Sequence, residues 1–199
     1  MTNSVKTAST VYPVLDVLRE RWSTRAFTET PIDRRALATA LEAATWSPSA
    51  FNAQPWRFIV GFAGSEVFDR IVDTLIPFNQ NWAKGASALM LTVAQLRDAD
   101  GREQKTALYD LGQAMGHFAV QASAEGFHFR QMSGLSPTRA AEAFGLSDDY
   151  RVVSAVAIGY LGEPELLDED LREAETTPRE RKPLSEVLIE DDGLLDAIQ

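Results

Sequence analysis

The sequence predicts an α+β fold, a mixed central β-sheet flanked by helices, and three observations lead there. Helical and alternating apolar patterns follow one another without the regular strand–helix beat of a doubly wound sheet. No G-x-G-x-x-G follows a strand, and G-x-x-x-x-G-K-[ST] is absent. The chain is 199 residues long, enough for one domain with a modest extension.

The elements follow in order. Pro13 to Arg21 reads as a short helix with Val14, Leu15 and Leu18 on one side. Arg21 to Arg25 is extended. Asp33 caps a helix running to about Trp46, with Ala36, Leu37, Ala40, Leu41 and Ala44 as its stripe. Pro48 to Pro55 is a loop, because two prolines bracket small and amide residues. Trp56 to Phe62 is a strand, and Gly64 to Leu75 a helix. Phe78-Asn79-Gln80-Asn81-Trp82 reads as an amide-rich turn before the buried strand Ala88 to Gln95. Thr106 to Glu125 is the longest helix, its stripe broad enough for a central position. Gly126 to Met132 is a strand, Thr138 to Phe144 a short helix stopped by Gly145, and Val152 to Tyr160 the last strand. Residues 1–161 form the core and residues 162–199 an acidic C-terminal arm of the same domain.

Charge separates those two parts. The core holds 15 basic and 16 acidic side chains, the arm 4 and 13, for a net charge of −10. Most of the arm reads as solvated and mobile. The acidity argues against nucleic-acid or anionic-membrane partners. Without cysteine there is no disulfide scaffold, thiolate metal site or iron–sulfur cluster. Two histidines, His117 and His128, do not build the usual zinc or copper site, and each reads as packed or satisfied. No stretch is long and apolar enough to span a bilayer, and the N-terminus lacks a basic-then-apolar leader. The expectation is a soluble cytoplasmic protein without a metal.

Five constellations carry possible chemistry. In the extended Arg21-x-Ser23-x-Arg25, alternate residues share a side and suit a phosphate; ordinary ion pairs with Glu20 or Glu29 are the alternative. Pro48, Ser49, Ala50 and Asn52 lead into a core strand and suit a planar heterocycle with amide edges, or else satisfy their own backbone. The amides around Asn79 carry the same two readings. Ser133 and Gly134 end a strand before a helix, where free N–H groups are ready donors, or where Ser136 simply caps the helix. Arg179-x-Arg181-Lys182 is a second phosphate candidate, unless it pairs with the acidic arm. No nucleophilic triad is visible, so an enzyme of this sequence implies an organic cofactor.

Together the motifs resemble the nitroreductase-like family of FMN-dependent oxidoreductases. They keep its order: R-x-S-x-R at Arg21, P-S-x-x-N-x-Q-P-W from Pro48, Asn79, Y-D-x-G-x-A from Tyr109, Q-M-x-G from Gln131, and R-x-R-K-P-L from Arg179. The resemblance implies a homodimer with FMN at its interface, and hydride passing from NAD(P)H through flavin N5 to a nitroaromatic, quinone or enone in ping-pong fashion. It implies that Arg21, Ser23 and Arg25 grip the phosphate and ribityl chain, with Arg179 and Arg181 as further phosphate contacts. It implies that Pro48, Ser49, Ala50 and Asn52 meet the ring from the partner subunit. Asn79 resembles the amide reading the pyrimidine edge; Ser133 and Gly134 resemble the catalytic backbone donors beside N5. Gln80, Trp82 and His128 line the substrate side in this reading. Trp82 stands where some relatives carry lysine, and Ser133 where some carry glutamate, which leaves the pocket less charged. A flavin carrier or flavin-consuming enzyme without NAD(P)H turnover is the alternative, and a plain interaction module a third. The basic knot, Pro183 and the apolar Val187 to Ile189 lead to one more expectation, that the arm crosses to the partner.

Overall fold

The structure, a computed structural model, describes residues 4–195. Four strands form its sheet: β1 (Trp56–Phe62), β2 (Ala88–Gln95), β3 (His128–Met132) and β4 (Tyr150–Gly159), in the order β1-β2-β4-β3. The α+β class is as expected. The sheet, however, is antiparallel at every pairing among the described strands, not mixed. Alternation fixes which face a side chain takes but carries no information on strand direction.

The central strand β2 is buried along nearly its whole length because both faces are covered. Leu89, Leu91 and Val93 point to one layer, with α3 (Glu66–Thr74), α4 (Pro77–Ala83) and α6 (Pro137–Phe144). Ala88, Met90 and Ala94 point to the other, with α2 (Arg34–Thr45) and α5 (Ala107–Ala124). Phe118 of α5 is fully buried against Phe127 and Phe129. Burial of such a ring contributes about 1.5–3 kcal/mol. Asp33 caps α2 by accepting from the Arg35 N–H at 2.8 Å, and Ser65 caps α3 in the same way through Phe68. Gly61 lets α3 lie directly on β1: a Cβ there would stand 2.4 Å from the Phe68 nitrogen.

One expectation is corrected and another refined. Residues 77–83 are a helix, not a turn, because Pro77 occupies the first helical position with its φ already set and Trp82 and Ala83 are drawn into the core. Most of the described arm is exposed, as expected, but it is not wholly free: α7 (Glu169–Thr176) docks on its own chain through Glu175, only 1% exposed. The first helix is shorter than expected, α1 (Asp16–Glu20), and Arg21 beyond it is extended. Beyond α7, the short α8 (Leu184–Val187) and Ile189 leave Leu184, Val187 and Ile189 exposed.

Candidate functional site

The extended segment 21–25 is held from both termini of the chain. Glu175 of α7 accepts from the Thr24 hydroxyl at 2.9 Å and the Arg25 N–H at 3.0 Å, and its carboxylate stands 3.9 Å from the Arg25 guanidinium. Lys6 is buried and donates to the carbonyls of Ala174, at 2.7 Å, and Thr177, closing the end of α7. Arg179 donates to the Lys6 and Arg21 carbonyls, each at 2.6 Å, and to that of Arg19. The guanidinium expected to grip phosphate therefore bonds backbone oxygens and shapes the segment that carries Arg21. Arg181 is exposed and, among the described residues, its side chain bonds only the neighbouring Glu180 carbonyl, at 2.7 Å.

Beside this segment α4 meets the turn after β3. Asn79 is buried, and its amide donates to the Gly134 carbonyl at 3.0 Å; the Ile76 N–H donates to the same oxygen at 3.1 Å. A Cβ on Gly134 would stand 2.5 Å from the Asn79 amide nitrogen, so only glycine permits this approach. The Gly134 N–H donates to no group among the described residues, and Ser133 is exposed next to it. Trp82, three residues beyond Asn79 on the same helical face, is buried with no partner for its indole N–H among the described residues. The structure thus brings together Arg21, Ser23, Arg25, Asn79, Trp82, His128, Ser133 and Gly134. Gln80 lies apart: its amide donates to the Val72 and Leu75 carbonyls, at 3.2 and 3.0 Å, and closes the end of α3.

The site is rich in positive charge. Burial first, and then neighbouring cations, hold Arg21 and Arg179 below their ordinary pKa; burial does so for Lys6 and Arg25 against the opposing pull of Glu175. Burial and the Arg21 charge likewise hold His128 below the usual imidazole value, and its Nδ1 is buried without a partner. Glu175 is the carboxylate that opposes this group of cations. The Arg25 Nε is also buried and unpartnered. Such an excess of charge and orphaned donors suits an anionic ligand with polar edges. Outside Arg21, a cavity of about 940 Å³ runs between Tyr12, Leu18, Arg19, Arg179, Arg181 and Lys182. Five basic residues and no acidic one line it, while Arg25, Asn79, Ser133 and Gly134 lie outside its walls.

The loop 48–54 lies elsewhere. It leads into β1, one edge of the sheet, while the arginine segment borders β3, the other edge. Its backbone is held by the Asp110 carboxylate, which accepts from the Ala50 N–H at 3.3 Å, and by the Ser49 hydroxyl, which accepts from the Gln54 N–H at 3.0 Å. Phe51, Asn52 and Gln54 have φ of 54°, 57° and 49°, the left-handed region that non-glycine residues avoid. Pro48, Phe51 and Asn52 stand exposed.

Three residues escaped the sequence reading. Glu175 and Lys6 carry no local signal, since their partners are far away in the chain. Arg130 had one: in the alternation of β3 it shares a side with His128 and Met132. Its guanidinium donates to the Ser23 carbonyl at 2.6 Å and sits 5.7 Å from the Trp82 ring centroid. His117 was expected to be packed but is exposed on α5.

Comparison with known proteins fits this geometry. The Nitroreductase family matches residues 18–77 and 74–160, more than half of the chain. The chain belongs to the Nitroreductase family. A solved oxidoreductase containing FMN is 37% identical, covers 96% of this chain and 97% of its own, and aligns with a TM-score of 0.87. An uncharacterized 15.4 kDa protein from the ask 5' region of Mycolicibacterium smegmatis is 34% identical over 141 residues, covering 66% of this chain and 92% of its own. An NADH dehydrogenase of Thermus thermophilus is 28% identical over an aligned length of 215, spanning 89% of this chain and 97% of the relative.

Proposed function

We propose that the protein is an FMN-dependent oxidoreductase that uses NAD(P)H to reduce a small aromatic or conjugated acceptor, and that it works as a homodimer. One observation carries the reading: Arg21, Ser23 and Arg25 converge with Asn79 and the Gly134 N–H around buried, unpartnered donors, under a surplus of positive charge. FMN offers a phosphate of about two negative charges and a flat ring with amide edges, which match those two ends. The solved relative at 37% identity contains FMN, and the Thermus thermophilus relative is an NADH dehydrogenase.

When bound, FMN supplies two-electron redox chemistry that no side chain here provides. The chain's own residues position and polarise. Arg21, Ser23 and Arg25 hold the phosphate and ribityl chain, Arg21 at the basic cavity across which Arg181 reaches the phosphate and Arg25 on the α4 side. Arg179 acts through Arg21 by fixing its carbonyl. Asn79 locks the Gly134 carbonyl, so that the Gly134 N–H faces the ligand with Ser133 beside it. Fixed donors aimed at developing negative charge stabilise it without reorganisation. Trp82, on the helix that carries Asn79, excludes water from the side away from Arg21, whereas His128 stands beside Arg21.

The loop 48–54 supports a two-chain site. Its strained backbone is the kind retained where a ligand demands it. It lies at the far edge of its own sheet, so Pro48, Ser49, Ala50 and Asn52 complete the site of a second copy. Exposed Trp46, Phe51, Leu108, Tyr109 and Val120, with Gly112 and Gly116 between the last two, make the surface on which that copy packs. The exposed Leu184, Val187 and Ile189 are the part of the arm that crosses to it.

The test is the visible spectrum of the purified protein, chromatography of the cofactor released on denaturation, and anaerobic mixing with NADH or NADPH. Yellow protein that releases FMN and bleaches on mixing is expected. Colourless protein that takes up no FMN would overturn the reading. Yellow protein that never bleaches would leave a flavin-binding protein without NAD(P)H turnover.

A further inference from the structure

We infer that Arg130 is the residue that sets the redox preference of this site, supplying beside Trp82 the positive charge that favours bound FMN in its reduced form. The inference rests on the FMN reading above. It starts from a charge that the structure leaves unbalanced. Arg130 and Arg25 stand 5.7 and 5.9 Å from the centroid of the same Trp82 ring. Among the described residues, Arg130 has no carboxylate within ion-pairing distance; the Glu175 oxygens are taken by Thr24 and Arg25. Burial, and the charge of Arg25 beside it, pull the Arg130 guanidinium down to about 10 against the weaker opposing pull of Glu175, so it remains charged at neutral pH. Two like charges beside a buried ring are costly unless a negative charge arrives between them.

The place of Arg130 decides which charge that is. One of its N–H groups is fixed on the Ser23 carbonyl at 2.6 Å, which anchors the guanidinium. Trp82 belongs to α4, the helix that also carries Asn79, so the charge stands on the α4 side of Ser23, between the arginine segment and the Asn79–Gly134 pair. Two-electron reduction of a flavin with uptake of one proton adds one negative charge to the ring, while the phosphate charge stays the same. A fixed cation near the ring therefore strengthens binding of the reduced form over the oxidised form, and a cation at the phosphate strengthens both alike.

The experiment compares the holoprotein with Arg130→Gln and Arg130→Lys. Glutamine keeps a donor for the Ser23 carbonyl and loses the charge; lysine keeps the charge. Fluorescence titration gives the Kd for oxidised FMN, and equilibration with a reference dye gives the midpoint potential. In R130Q the preference for reduced over oxidised FMN is expected to fall about tenfold or more, which for a two-electron couple is a shift of about 30 mV to more negative potential. R130K is expected to stay within about threefold of the wild type on the same scale. An R130Q protein that binds oxidised FMN less tightly at an unchanged potential would overturn the inference and leave Arg130 a support for Ser23. If R130Q retains no FMN, R130K decides: a wild-type potential upholds the inference, and a shift of tenfold or more overturns it. A wild-type protein that takes up no FMN defeats the underlying reading before any variant is compared.

Discussion

Glu175 offers the sharpest test of how the site is held. It is 1% exposed, and the side chain of its partner Arg25 only 16%. Glu175→Ala removes the acceptor of the Thr24 hydroxyl and the Arg25 N–H and leaves the Arg25 charge facing a small void. Removing one member of a buried pair costs about 3–5 kcal/mol. For a domain of this size that is a fall of about 6–20 °C in melting temperature. Glu175→Gln keeps an oxygen for one of the two donors and loses the charge, so about 1–3 kcal/mol is expected. Thermal unfolding of both variants at one chain concentration measures this, since assembly and ligand shift the apparent midpoint. A Glu175→Ala protein that melts within about 2 °C of wild type would refute the reasoning, because the carboxylate would then be no part of the clasp.

Four further outcomes are expected. Arg25→Glu places a negative charge where the phosphate belongs, and the purified variant should lack the yellow colour of the wild type. Gly134→Ala drives a methyl group to 2.5 Å from the Asn79 amide; about 1–3 kcal/mol of stability should be lost in chemical denaturation, with weaker flavin retention. His128 has a folded pKa below its unfolded value of about 6.5, so its neutral form is favoured in the fold. Its contribution is intact above that value and is lost as the pH falls through the folded pKa; stability of flavin-free His128→Asn should decline less than wild type from about pH 7 to 5. Trp46→Ser combined with Phe51→Ser should yield monomers in sedimentation with little change in melting of the isolated chain, because both side chains are exposed.

How much of this was legible in the sequence depends on where the signal lay. The helix from Arg34 could be read because its cap, Asp33, and its stripe are adjacent in the chain. The helix at Pro77 was hidden by Asn79, Gln80 and Asn81, whose amides favour turns, though Pro77 itself marked its start. The segment around Arg21 and the glycine at 134 could be singled out through residue type and spacing. The docking of α7 was illegible, because one acid among many is buried there for the sake of Thr24 and Arg25, some 150 residues away. The same distance hid the role of Arg179: a guanidinium that bonds three carbonyls has the same local sequence as one that binds phosphate.

The clasp between Lys6, Glu175 and Arg179 has a consequence for how the molecule is born. The segment bearing Arg21 and Arg25 leaves the ribosome some 150 residues ahead of Glu175 and Arg179, which shape it. The sheet and its covering helices can form as they emerge, whereas the arginine-bearing strip must wait for α7. A nascent chain interrupted before Glu175 would therefore carry a largely packed body whose arginines repel one another with only the Arg130 bond to Ser23 to order them.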